Sequence, residues 1–425
     1  MENAEPASLL TAIRPVRSLL LAIFTLMAGG GFMGTLVGIR LDGMGADTLG
    51  IGLVATAYFG GLTLGSLRVG RIVNRVGHIR AFAAFVALLS ASTLAYTIHR
   101  GFVFWAGLRF VDGLCLAGVY VCLESWLNDR ADPQARGSVL AAYMIALYAG
   151  QGLGQFLLNL GKATPAMPFT VASILISLAI IPITLTRGAS PEIRQTPALP
   201  VRRLYAISPL GFVGAAVTGL VLGAYYGLGA VYARRVGADL AATAAFMSAV
   251  IVGGVGLQWP LGWLSDHGDR RHVVLGAFAA AALVSLAIAV ADPGGVWRLL
   301  LGGVFGGLCF ALYPLCVAHT NDHLSPEQRV GASGGLVLVY SAGAAVGPLA
   351  GAAAMALIGA GGLFAFIALF TGGATAFGLW RLAARRPVPS ELQQPYQLLP
   401  RTTPMAATLQ PVPAGPGPNP CEDPS

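Results

Sequence analysis

Long runs of uncharged, mainly apolar residues divide this sequence, and they constrain the fold more than any other feature. A helix needs about 20 apolar residues to cross the hydrocarbon core of a bilayer. The runs are close to that length. The run Val330–Trp380 is long enough for two helices, with a break expected at Gly359–Gly362. We predict twelve transmembrane helices, at residues 16–39, 48–69, 80–98, 101–126, 137–160, 166–186, 209–232, 240–262, 272–291, 296–320, 330–357 and 361–382.

The composition excludes most other classes of protein. Of the 425 residues, 56% are hydrophobic and only 10% are charged, with a mean hydropathy of +0.72, whereas soluble domains carry about 25% charged residues. A soluble globular domain and a disordered chain are therefore excluded. A nucleic-acid-binding protein is excluded too, despite the net charge of +8. The predicted fold class is an all-α polytopic membrane protein. Its expected partner is the lipid bilayer.

The segments between the apolar runs predict the domain organisation. A segment rich in Pro separates two groups of six helices, and the last segment is rich in Pro, Gln and Thr. That last segment is expected to be disordered, since it lacks the apolar content for a core. The predicted regions are an N-terminal segment 1–15, a six-helix bundle 16–186, a linker 187–208, a second bundle 209–382 and a tail 383–425.

The positions of the basic residues predict the orientation. Of the 26 Lys and Arg residues, 19 lie on the side of the N-terminus, 6 lie on the other side, and Arg109 lies within a helix. Cytoplasmic segments carry the excess of Lys and Arg. We therefore expect both termini in the cytoplasm, although the pair Arg234-Arg235 opposes this bias locally.

Sequence motifs repeat between the two halves of the chain. Gly70–Arg80 follows the second predicted helix, and the similar Gly262–Arg271 follows the eighth. Gly113-Leu114-Cys115 in the fourth helix likewise has a counterpart, Gly307-Leu308-Cys309, in the tenth. Repeats in matching topological positions predict two six-helix bundles related by an axis along the membrane normal.

With these motifs the chain resembles the major facilitator superfamily over residues 16–382. The loop motif of that family is matched by Gly70, Arg75 and Gly77, with Asn74 where the family has Asp, and by a second copy at Gly262–Arg271. Arg109 and Gly113 resemble the motif of the fourth helix. The second loop copy and the segment Glu124–Asn128 are similar to a bacterial subgroup, the YcaD-like transporters.

The resemblance implies that the loops act as conformational latches. The alternative is a pair of plain topological turns anchored by positive charges. Glu124 would pair with Arg71 or Arg75 to latch a gate, or would be a simple hydrated carboxylate. The candidate gating residues are Gly70, Arg71, Asn74, Arg75, Gly77, Glu124, Gly262, Asp266, Arg270 and Arg271.

Arg109 and Asp112 are the most informative charged residues within a predicted helix. They are three positions apart and therefore share a helix face. A charge inside the bilayer is costly unless it is paired or hydrated, so both side chains should face a central cavity. Arg109 would attract an anionic group of a substrate or control the proton affinity of Asp112. The alternative is a purely structural ion pair.

Further polar and aromatic side chains lie within predicted helices. Aromatic rings with polar tips suit a ligand cavity, although each ring also suits packing or an interfacial position. An amide in lipid would lack hydrogen-bond partners, which favours the Gln residues as cavity residues. The candidates are Tyr148, Gln151 and Gln155 in the fifth helix, Tyr225 and Tyr226 in the seventh, Tyr313 and His319 in the tenth, and Tyr340 in the eleventh.

These features predict a secondary active transporter of a small molecule. The sequence has no phosphate-binding loop and no nucleophile-base motif, and four of its five Cys lie in apolar segments. We therefore expect no enzyme activity, cofactor, metal or nucleic-acid partner. A monomer would move its solute across the bacterial inner membrane by alternating access, with Asp112 as a candidate for proton coupling. The alternative is a transporter-like sensor or scaffold that binds a ligand without net flux.

Overall fold

The computed structural model describes residues 13–132, 135–185, 198–291, 294–382, 393–397 and 400–403. The predicted N-terminal segment and linker lie outside these ranges except for residues 13–15 and 198–208. The predicted tail lies outside them except for residues 393–397 and 400–403.

The described chain forms twelve long helical segments at the predicted places. Eleven of them are long and apolar enough to cross a membrane. The other is α5, whose α-helical part continues as a 3-10 helix, Gln155–Lys162. The segments are α1 (Arg14–Gly43), α2 (Thr48–Val76), α3 (His78–Ala95), α4 (Phe102–Arg130), α5 (Arg136–Gly154), α6 (Met167–Thr184), α7 (Pro209–Arg235), α8 (Leu240–His267), α9 (Arg270–Ala291), α10 (Gly295–Asn321), α11 (Pro326–Ile358) and α12 (Gly362–Leu382). A short helix, Val201–Ile207, precedes α7.

Several helices extend beyond their predicted ends. α2 ends at Val76 rather than at residue 69, α4 at Arg130 rather than 126, and α8 at His267 rather than 262. The apolar runs report only the hydrocarbon thickness, while a helix can continue with polar residues because its backbone hydrogen bonds are internal. Gly77 then permits the tight turn into α3, with φ of 87°.

Each half is built from the same helix pairs, as the sequence repeat predicts. α2 packs on α4 as α8 packs on α10, and α1 packs on α5 as α7 packs on α11. Glycines allow the α2–α4 and α8–α10 crossings. A Cβ atom on Gly61 or Gly113 would lie 2.0 Å from a carbonyl oxygen of the facing helix, and one on Gly253 or Gly306 would lie 1.9 Å away. Small residues that let backbones approach closely are typical of membrane helix interfaces.

The two halves contact each other mainly at one end. We call this end, with the α1–α2 and α7–α8 turns, the far side; the end with the α2–α3 and α8–α9 turns is the tail side. Near the far side, the Thr56 hydroxyl on α2 donates to the carbonyl oxygen of Ala345 on α11 at 2.9 Å. The Ser248 hydroxyl on α8 donates to the carbonyl oxygen of Gly152 on α5 at 2.7 Å. The cavity between the halves therefore lies behind a closed far side.

Candidate functional site

A cavity lies between the halves and is lined by residues of both. All six helices of the first half contribute to its lining, and α7 and α11 line it from the second half. Pro400, Arg401 and Thr402 of the tail also line it, and about 160 Å³ remains open beside them. Six of the ten sequence-predicted cavity residues line this space: Arg109, Asp112, Tyr148, Gln151, Tyr226 and Tyr340.

Asp112 is a buried carboxylate held by hydroxyl groups as well as by Arg109. Ser92 donates a hydrogen bond to Oδ1 at 2.6 Å, and Tyr96 donates one to Oδ2 at 2.7 Å. The Nη1 atom of Arg109 lies 3.7 Å from Oδ2, and its guanidinium carbon lies 4.2 Å from the ring centroid of Tyr58. The predicted shared face of Arg109 and Asp112 is therefore present, but the hydroxyl donors on and beside α3 make the shorter contacts.

The polar stripe of α5 only partly faces the cavity. Tyr148 and Gln151 line it, whereas Gln155 lies where α5 becomes a 3-10 helix and is outside the lining. The Gln155 amide nitrogen lies 3.5 Å from the carbonyl oxygen of Gly31, at the break in α1, and 3.4 Å from that of Gln151. The tighter winding turns Gln155 away from the face that it would share with Gln151 in an α-helix.

Three predicted residues of the second half do not line the cavity. Tyr225 points into its own bundle, with its hydroxyl 3.3 Å from the sulfur of Met247. Tyr313 packs behind Tyr340, with ring centroids 5.3 Å apart. His319 lines a separate small pocket near Arg381. Each of these residues lies in a helix that is buried on several faces. The sequence alone therefore does not show which face of the helix meets the cavity.

Tyr226, a predicted residue, and Arg401, which the sequence did not single out, also line the cavity. Tyr226, next to Tyr225, faces the cavity, and the adjacent pair offered no signal for choosing between them. Arg401 lies within the cavity although its surroundings in the sequence predict disorder. Its guanidinium carbon lies 4.4 Å from the ring centroid of Phe310 and 5.9 Å from that of Tyr340, and Nη2 lies 3.5 Å from the hydroxyl of Tyr226.

Part of the tail is thus placed, in contrast to the disorder predicted for residues 383–425. Residues 393–397 and 400–403 have few apolar side chains of their own, but the bundle supplies partners for their backbone and polar groups. The hydroxyl groups of Thr402 and Thr403 donate to the two carboxylate oxygens of the fully buried Glu124. The remaining tail residues lie outside the described ranges, and for them disorder stays a prediction.

The first copy of the loop motif does not form the predicted charge pair in this structure. Arg71 and Arg75 are exposed on the outer surface of α2, as is Asn74, whereas Glu124 is fully buried. The described contacts of the Glu124 carboxylate are with Tyr143, at 3.5 Å, and with the two tail threonines. The helix faces therefore separate Glu124 from the arginines. Gly70 is buried in α2, and Gly77 makes the turn described above.

The second copy forms an assembled cluster of charges. Arg270 is buried and lies 2.8 Å from Asp266 and 2.7 Å from Asp322, with its Nε atom donating to Ser265 at 2.8 Å. Arg271 lies 2.7 Å from Asp269, and its hydrogen bonds lower the pKa of Asp269. Gly262 lies one to two turns earlier on α8, against the ring of Tyr396.

An ion pair joins the two halves at the far side. Nη2 of Arg235, at the end of α7, lies 2.7 Å from Oδ1 of Asp42, at the end of α1. Nη1 of the same arginine donates to the hydroxyl of Thr48 at 2.8 Å. The exception to the charge bias at Arg234-Arg235 thus coincides with a contact between the halves.

Known proteins place this architecture in a family. The sequence profile of the Major Facilitator Superfamily matches residues 19–267 and 211–409. The chain is 29% identical over 350 residues to the uncharacterized MFS-type transporter YcaD of Salmonella enteritidis, covering 80% of this chain and 88% of YcaD. This similarity confirms the predicted resemblance to YcaD-like transporters.

Solved transporter structures share the fold. The nucleoside transporter NupG superposes with a TM-score of 0.71 at 13% identity, covering 87% of this chain and 98% of NupG. A bacterial homologue of the human lysosomal transporter Spinster, inward-facing and occupied, superposes with a TM-score of 0.68 at 15% identity, covering 89% and 97%. The chain is a multi-pass membrane protein and a secondary transporter that belongs to the major facilitator superfamily.

Proposed function

We propose that this protein moves a small solute across the bacterial inner membrane by alternating access, as a monomer with both termini in the cytoplasm. The tail side then faces the cytoplasm, and the structure is the inward-facing form. The halves rock about the central cavity, so that the solute meets one side of the membrane at a time.

The contacts between the two halves are the main support for this proposal. Two bundles of matching construction meet at the far side, where Arg235 and Asp42 are 2.7 Å apart, and leave a cavity between them. A partly exposed ion pair contributes only about 0–1 kcal/mol. Such a contact can close the far side in one state and break in the other without a large penalty.

Within the cavity, Arg109 and Asp112 are the proposed coupling pair. Asp112 is buried beside Arg109, Ser92 and Tyr96, and both charged residues line the cavity. A buried carboxylate that gains or loses a proton changes the balance of charge in the cavity. Asp112 would exchange the proton, and Arg109 would interact with the Asp112 carboxylate when it is charged. Tyr148, Gln151 and Tyr340 would contact the solute.

Labelling of a cysteine in the cavity tests alternating access without knowledge of the solute. Thr35→Cys places a thiol on α1 in the cavity wall, in a background whose native cysteines are replaced. With Arg235→Gln, a membrane-impermeant maleimide added outside right-side-out spheroplasts should label it several-fold faster, because the far side opens more often. The exchange of charges, Asp42→Arg with Arg235→Asp, should restore slow labelling.

Arg234→Gln is the matched control. Its guanidinium donates to the carbonyl oxygen of Ala238 within its own half, at 2.7 Å, so labelling should stay at the parent rate. Equal labelling of Thr35→Cys with and without Arg235→Gln would contradict the proposal.

The tail in the cavity favours a second candidate, a membrane sensor that binds a ligand without net flux. Pro400, Arg401 and Thr402 occupy the position through which a solute would pass. A sensor would bind a ligand but would not exchange it across proteoliposomes in a counterflow experiment, whereas a transporter would.

A further inference from the structure

The tail is anchored on the second loop motif before it enters the cavity. The backbone N–H of Gln394 donates to Asp322 at 2.9 Å, and the backbone carbonyl of Gln394 accepts from Arg270 at 2.7 Å. The backbone N–H of Tyr396 donates to Asp266 at 2.8 Å. The charge cluster of the motif is therefore completed by backbone groups of the tail.

The ring of Tyr396 packs against α8 at Gly262, where a residue with a side chain would collide with the ring. A Cβ atom on Gly262 would lie 2.2 Å from that ring. The tail is thus held by backbone hydrogen bonds and by packing of the Tyr396 ring. A few residues later, Pro400, Arg401 and Thr402 line the cavity.

At the end of this path, the guanidinium of Arg401 lies over the rings of Phe310 and Tyr340 and beside the hydroxyl of Tyr226; we call these three residues the cage. The ring centroid of Phe310 is 4.4 Å from the guanidinium carbon, which is well inside the range of about 6 Å for cation–π contacts. Phe310 itself contacts Tyr148 of the other half, with ring centroids 5.4 Å apart. The three residues that contact the guanidinium belong to the second half, and Tyr148 of the first half packs against one of them.

A buried carboxylate contacts the tail directly after Arg401. Glu124 is fully buried, and Thr402 and Thr403, which directly follow Arg401, donate to both of its oxygens. Without the tail, the described cavity wall and Glu124 carry two carboxylates, Asp112 and Glu124, against one guanidinium, Arg109. Buried charges require partners, so the emptied site would favour a positive charge.

We propose that the cage of Phe310, Tyr340 and Tyr226 is the binding site for a small organic cation with a guanidinium or alkylated ammonium group, and that Arg401 occupies it as an internal competitor. The inference rests on the proposed function, since it takes the central cavity as the solute site. Release of the tail would then be required before a cation binds.

Calorimetry on the purified full-length protein tests the proposal, with benzylguanidinium as the probe. Arg401→Gln should bind the probe at least tenfold more tightly than the parent, because the cage is vacated. Benzylurea, a neutral molecule of nearly the same shape, should not bind measurably to either protein. Equal affinity in the parent and in Arg401→Gln, or equal binding of benzylurea, would overturn the proposal.

Arg381→Gln is the matched control, since Arg381 also lies over a ring, that of Trp380, at 5.5 Å. It should leave the affinity of the parent unchanged. A gain of the same size in Arg381→Gln would show that the effect is not local to the cage, and would count against the proposal.

The cage itself is tested in the Arg401→Gln background. Phe310→Leu should weaken binding of the probe at least tenfold, and Tyr340→Leu provides a second test if the first variant does not fold. Undiminished binding in a folded variant would overturn the assignment. If Arg401→Gln does not bind the probe more tightly but Thr35→Cys is labelled as predicted, the cation proposal fails and the transport proposal stands. If the probe binds as predicted but labelling of Thr35→Cys does not respond to Arg235→Gln, the protein is a sensor.

Discussion

At the scale of single residues, the charges in α4 were predictable but their surroundings were not. The three-residue spacing of Arg109 and Asp112 placed them on one face, and both line the cavity. The hydroxyl donors Ser92 and Tyr96 depend on the register between α3 and α4, which no local pattern encodes. The same reason explains why the sequence did not show which of Tyr225 and Tyr226 faces the cavity.

Removing the hydroxyl of Ser92 should destabilise the protein through Asp112. Hydrogen bonds to charged groups contribute about 1.5–3 kcal/mol, so Ser92→Ala should lower the free energy of unfolding by about 2 kcal/mol. In an Asp112→Asn background the same change should cost about 1 kcal/mol, because the acceptor is neutral. Denaturant unfolding in mild detergent measures both values.

Ser90→Ala is the control for this pair of values. Ser90 lies on the same helix as Ser92 and bonds to the neutral hydroxyl of Ser173 on α6 at 2.7 Å. Its cost should not depend on residue 112. An equal cost of Ser92→Ala in both backgrounds would refute the role assigned to the carboxylate.

At the scale of elements, the apolar runs predicted all twelve helical segments but not their irregularities. α1 consists of two pieces, Arg17–Gly30 and Met33–Gly43. The change to a 3-10 helix at Gln155–Lys162 was also not predicted. Both features depend on contacts between α1 and α5, where a Cβ atom on Gly31 would lie 2.9 Å from the side chain of Gln151.

Gly113→Ala should separate α4 from α2. The new Cβ would lie 2.0 Å from the carbonyl oxygen of Tyr58, so backbone must move. Overpacking of this kind costs about 1–3 kcal/mol. Gly107→Ala on the same helix has open space and should be neutral or stabilising by up to about 1 kcal/mol. Thermal unfolding that ranks the two variants equally would contradict this assignment.

Gly262→Ala should release the tail. Its Cβ would displace the ring of Tyr396, and the backbone N–H groups of Gln394 and Tyr396 would lose their carboxylate acceptors. Hydrogen exchange across residues 393–403 should therefore become faster. Gly256→Ala, on the same helix with open space around it, should exchange like the parent. Protection that survives Gly262→Ala would argue against the anchor.

At the scale of the whole molecule, the repeated motifs predicted two similar bundles, and the helix pairs of the two halves correspond. The ion pair between Arg235 and Asp42 was not predictable, because residues far apart in the sequence meet only after the halves assemble. The placed part of the tail escaped prediction for a related reason. Its own composition is that of a disordered segment, and its partners all lie in the bundles.

The distribution of basic residues predicts the orientation of the protein in the membrane. With 19 Lys and Arg residues on the side of the N-terminus and 6 on the other, both termini should be cytoplasmic. Alkaline phosphatase fused at the C-terminus should be inactive, whereas a fusion in the far-side turn after Gly237 should be active. The reverse pattern of activity would require the opposite orientation.

The central claim is that the two halves alternate about the cavity, and paired distance measurements test it most directly. Electron spin resonance would measure one distance at the far side, between labels at Met44 and Gly237, and another at the tail side, between labels at Ile72 and Leu264. In the Arg235→Gln, Arg401→Gln variant, the far-side distance should lengthen while the tail-side distance shortens, in the same fraction of molecules. Two distances that stay fixed, or that lengthen together, would contradict alternating access.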